Sequence, residues 1–122
     1  MIEQIKGLPD NVAGFRASGE VTKEDFEKRV VPEVEKLIAK TGKINYLLVL
    51  DTSIKNFTAG AWIEDALMGI KHLLKWNRAA IITDSNSIRN FTSAFSVMVP
   101  GEFRGFDPSK YDEAVRWVSK DF

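Results

Sequence analysis

The chain has 122 residues, 44% of them hydrophobic, and its 17 Lys and Arg balance 17 Asp and Glu to a net charge of zero. That size favours one domain, residues 1–122, around one core, and the balanced charge gives no global field to gather nucleic acid or an acidic membrane surface. Cysteine is absent and His72 is the one imidazole, which excludes disulfides, thiolate chemistry and a multi-histidine metal site within one chain.

The opening residues, Met1 to Lys6, lack the apolar run of a signal peptide. No apolar stretch approaches the roughly 20 residues needed to span a bilayer. The expectation is a cytoplasmic protein without membrane insertion and with no cofactor.

The first predicted element is a hairpin. Ile2 to Leu8 and Val12 to Glu20 flank Pro9-Asp10-Asn11, a turn-forming cluster. Gly14 and Gly19 in the second arm point to a bulge or a close backbone approach. Thr22 then suits an N-cap, and Asp25 three residues on completes a capping box with the shorter acid. The helix that follows carries Phe26, Val30, Val34, Leu37 and Ile38 at helical spacing. Pro32 within it predicts a kink, and Gly42 a left-handed stop.

Tyr46 to Asp51 is a nearly continuous apolar run, as expected for a strand buried on both faces. The loop Thr52 to Thr58 leads to a second helix, Ala59 to Trp76. Its core stripe is Ile63, Ala66, Leu67, Ile70, Leu73 and Leu74. A second strand of the same kind, Arg78 to Asp84, follows. Ser85-Asn86-Ser87 reads as the cap of a third helix with Ile88, Phe91, Phe95 and Met98 on its apolar face, stopped at Pro100-Gly101. Glu102 to Phe106 is a short strand. Asp107 caps a last helix with Pro108 at its first position and Tyr111, Ala114, Val115 and Val118 at core spacing.

The resulting order, ββαβαβαβα, predicts an α/β fold: a mixed sheet of about five strands flanked by helices. Parallel neighbours require crossover connections, which are almost always right-handed.

Several phrases in this order resemble the SpoIIAA-like branch of the STAS superfamily (sulphate transporter and anti-sigma factor antagonist). They are Glu24-Asp25-Phe26 opening a helix that contains Val31-Pro32, Trp62-Ile63-Glu64-Asp65 opening the next, and Arg78-Ala79-Ala80-Ile81 before Thr83-Asp84. Phe103-Arg104-Gly105-Phe106 before Asp112-Glu113-Ala114-Val115-Arg116-Trp117 completes the set. The resemblance runs from about Ile2 to Trp117 and implies a small sheet with helices on its flanks. The branch is similar in topology to CRAL-TRIO lipid carriers, which implies an apolar small-molecule ligand. Other STAS domains act by protein contact, switched by phosphorylation of a Ser or Thr in an Asp-Ser-Ser/Thr-Gly setting. Here that region is Asn56-Phe57-Thr58-Ala59-Gly60-Ala61. It lacks the acidic residue and the neighbouring Ser, and Thr58 reads as an N-cap. The anti-sigma antagonist role is therefore not carried over.

Two candidate sites stand out. Trp62, Asp65, Gly69, His72 and Trp76 form a second stripe on the second helix, beside its core stripe. Gly69 costs about 1 kcal/mol relative to Ala inside a helix, so something is expected to approach closely there. With Phe91 and Phe95, the stripe predicts either the wall of an apolar pocket with Asp65 as polar anchor, or an aromatic interface for a homodimer or partner protein. Asp65 and His72 are two turns, roughly 10 Å, apart, too far to act as a catalytic couple. The other candidate is the carboxyl edge of the sheet, where open α/β sheets favour ligands. Asp51, Thr58, Asp84, Ser85 and Ser87 gather there as a polar or anion site, without a third carboxylate to complete a metal site. Gly-x-Ser-x-Gly, Gly-x-Gly-x-x-Gly and Walker A motifs are absent. The sequence therefore predicts a non-enzymatic domain that binds a small apolar ligand, with a protein-interaction module as the alternative and a phosphoswitch at Thr58 or Ser85 behind both.

Overall fold

Five strands lie side by side in chain order in the computed structural model, which describes residues 1–51, 76–84 and 102–120. β1 (Ile2–Gln4) pairs antiparallel with β2 (Ala13–Ala17). β2, β3 (Ile44–Leu50), β4 (Trp76–Ile82) and β5 (Glu102–Phe106) then pair parallel to one another. This is the mixed α/β sheet that the apolar runs predict. The loop from Thr52, the second helix up to Lys75 and the third helix lie outside the described residues.

The hairpin arms are shorter than predicted: the paired residues stop at Gln4 and Phe15, and the Leu8 side chain folds over Gly14. A Cβ at Gly14 would stand 2.1 Å from Leu8 Cδ1, so the glycine provides the predicted close approach. Gly19 falls beyond the strand, at φ +58, where the left-handed backbone favours glycine.

The connection from β2 to β3 is helical. Thr22 N–H donates to Asp25 Oδ2 (2.9 Å) and Asp25 N–H to Thr22 Oγ1 (3.1 Å), which is the expected capping box. A short α-turn, α1 (Lys23–Asp25), runs through a π-helical stretch (Phe26–Val30) into α2 (Val31–Thr41). The wider π turn ends at Val30, two residues before Pro32. Proline has no N–H to give the preceding turn, and its ring crowds that turn's carbonyl. Widening the turn there accommodates both effects, so the predicted kink takes the form of a π-helical segment. Pro32 is exposed, while Val30, Val34 and Leu37 are buried. Gly42, at φ 76, closes α2 with its N–H on Ile38 O at 2.8 Å.

Alternate residues of the sheet serve two cores. On one face, Val34 and Leu37 pack against Phe15, Ile44, Tyr46, Leu48 and Ile81. On the other, Leu47, Val49, Ala80, Ile82 and Phe106 receive Ala114 and Val118 of α3 (Tyr111–Val118). α3 is entered through a 3₁₀ turn, Pro108–Lys110, capped by Asp107, which accepts from Ser109 N–H at 3.0 Å. Side chains from distant elements satisfy carbonyls in the last turn of the helix and just past it. Arg78 Nη1 donates to Trp117 O (2.7 Å), Asn11 Nδ2 to Ser119 O (2.7 Å) and Asn77 Nδ2 to Lys120 O (3.5 Å).

Two predictions follow from this geometry. Gly14→Ala should destabilise the protein by at most about 1 kcal/mol, because the atom in its way is the terminal methyl of the half-buried Leu8 side chain, which can swing aside, and Leu8→Ala in the same chain should recover part of that loss. A urea-denaturation double-mutant cycle measures the coupling. The Asp25 carboxyl is raised by partial burial, but the Thr22 N–H, the N-terminal ammonium and the Thr22 hydroxyl outweigh this and its pKa lies below the ordinary 3.8. A depressed carboxylate stabilises the fold above its unfolded pKa, and that contribution is lost as pH falls through the folded value. Asp25→Ala should therefore cost about 1 kcal/mol near neutrality, and the gap to wild type should close below pH 3.8 in denaturation curves recorded from neutral to acid.

Candidate functional site

The sheet brings together a row of aromatic side chains on the α2 face, one from each of four adjacent strands. Phe15 and Tyr46 have ring centroids 5.8 Å apart, Tyr46 and Trp76 5.7 Å, and Trp76 and Phe103 5.1 Å. The Tyr46–Trp76 pair meets edge-on at 75°, the arrangement that ring quadrupoles favour. All four rings are buried. Burial pushes the Tyr46 phenol well above its ordinary pKa, so it stays neutral. The row depends on a register shift between Ile44 and Asn45. Trp76 pairs with Ile44, and Arg78 rather than Asn77 pairs with Asn45. That irregularity leaves Trp76 and Ala79 on one face and turns Arg78 to the other.

Trp76 is where the structure corrects the sequence reading. It was expected at the end of the second helix, on the stripe with Trp62 and Gly69. It is instead the first residue of β4, 4% exposed. One residue fits a helical wheel and a strand alternation equally well, and here pairing with Ile44 and packing between Tyr46 and Phe103 decide. Trp62, Asp65, Gly69, Phe91 and Phe95 lie outside the described residues, as do Thr58, Ser85 and Ser87.

On the opposite face Arg78 is 8% exposed, and its Nη1 donates to Trp117 O. Its guanidinium lies 4.7 Å from the centre of the Trp117 ring, and Nη2 is 3.5 Å from Glu102 Oε1. Arg104 approaches Phe106 at 4.9 Å and Trp117 at 6.0 Å. These contacts fix α3 to β4 and β5.

The carboxyl edge holds Asp51, Thr83 and Asp84. Asp51 lies just past β3, not within it as expected, and its N–H donates to Ala17 O at 2.8 Å. The Val49–Ile82 pairing, continued two residues, sets Asp51 and Asp84 at neighbouring strand ends. Arg16 Nη1, on β2, meets Asp51 Oδ2 at 2.5 Å. This partner was not foreseen, because only the β2–β3 register reveals it. Among the described residues no group of three His, Asp or Glu is placed to hold a metal ion. A shallow cleft of about 230 Å³ between α2 and the hairpin is lined by Gln4, Asp10, Glu33, Lys36 and Lys40. Its polar groups pair with one another: Lys36 and Gln4 with Glu33, and Lys40 with the Asp10 carbonyl. The aromatic row is therefore the stronger candidate.

A five-stranded mixed sheet, with α2 on one face and α3 on the other, defines a STAS-like α/β domain. The SpoIIAA-like family model matches residues 12–119, and the chain belongs to the SpoIIAA-like family. A crystal structure of an uncharacterised DUF3478-family protein from Shewanella loihica PV-4, described as having a SpoIIAA-like fold, superposes with a TM-score of 0.65. It is 28% identical over 97% of this chain and 92% of that one. No curated protein matches the chain in sequence. Among the described residues no helix is long and apolar enough to cross a membrane.

The exposed Arg16–Asp51 pair should behave as a surface ion pair. Asp51→Asn is expected to lower stability by at most about 1 kcal/mol, and the difference should vanish in about 1 M salt. Chemical denaturation at low and high NaCl reads both.

Proposed function

We propose that this SpoIIAA-like domain is a non-enzymatic cytoplasmic carrier or sensor of a small, largely apolar ligand, bound on the α2 face of the sheet. The observation that carries this reading is the buried row Phe15–Tyr46–Trp76–Phe103. It forms an apolar wall across four strands, of the kind that lines small-molecule sites. α2 packs over the β2–β3 end of that face. Strands 2-3-4-5 advance in one direction, so right-handed crossovers favour the same face for every connection between them. The pocket of this reading is the one expected from the sequence near Trp62, Asp65, Phe91 and Phe95, with Asp65 to orient a polar end. Apolar contact supplies the affinity at roughly 25 cal/mol per Å² buried.

The alternative is a homodimer or partner interface built on Trp62, Gly69 and Trp76. Trp76 at 4% exposure is unavailable as a surface anchor, which removes half of its aromatic basis. A phosphoswitch at Thr58 or Ser85 has no further support.

Native mass spectrometry of the purified protein and a thermal-shift panel of fatty acids, quinones and isoprenoids test the ligand reading. The expected result is a co-purified adduct, or a stabilisation of about 2.7 kcal/mol at a ligand concentration about 100 times Kd. No adduct and no shift from any member of the panel would overturn it.

A further inference from the structure

We draw no further inference here: the strongest candidate, the shallow cleft between α2 and the hairpin, pairs Lys36 and Gln4 with its own Glu33 and Lys40 with the Asp10 carbonyl, and nothing in the structure shows what covers it.

Discussion

β3 is the strand on which the architecture depends. All seven of its residues, Ile44 to Leu50, are buried, and it lies between two parallel neighbours with a helix packed on each face. A strand enclosed in this way has no polar side, which is why its sequence is a run and not an alternation. Its even and odd positions then divide the protein into two cores. Tyr46 and Leu48 face α2, and Leu47 and Val49 face α3. One slip in register would exchange these sets. Ring–ring contacts on one side and the Arg78–Trp117 stack on the other hold the register from both faces.

The two cores differ in chemistry. The α3 side is closed by directional interactions: a buried guanidinium with a helix carbonyl, a carboxylate and an indole face around it. Such a group is costly to bury and tolerable only when its surroundings satisfy it. Among the described residues the α2 side is packed by aliphatic side chains and by aromatic rings that meet at tilted and edge-on angles across strands. Non-directional packing permits exchange of one apolar surface for another, and the proposed ligand face lies on that side.

Local chemistry was legible in the sequence where one or two neighbouring residues decide the outcome. Thr22 with Asp25, Gly42, and Asp107 followed by Pro108 mark helix ends through bonds made within a few residues, and each behaves as read. The apolar runs at β3 and β4 gave the fold class in the same way. Boundaries were less legible: β3 and β4 both begin and end earlier than their apolar runs indicate, which moves Asp51 past a strand end and draws Trp76 into one. The aromatic row was invisible because Phe15, Tyr46, Trp76 and Phe103 become neighbours only through three successive registers, one of them irregular at Ile44–Asn45. The Arg16–Asp51 and Arg78–Trp117 contacts were hidden for the same reason. A single chain displays its helical and strand periods, but not which strand position stands opposite which.

The side-chain closure of α3 also bears on how the protein acquires its shape. Asn11 and Ser119 are separated by 108 positions, and Asn77 and Arg78 reach the same end of the chain. Contacts of such long range make folding slow relative to helical proteins of this size. During synthesis the hairpin and β4 are made well before the carbonyls they bind have left the ribosome. One face of the sheet must therefore wait uncovered until α3 has been made, so the nascent chain passes through a stage in which Leu47, Val49, Ala80 and Ile82 are available to chaperones and to other chains.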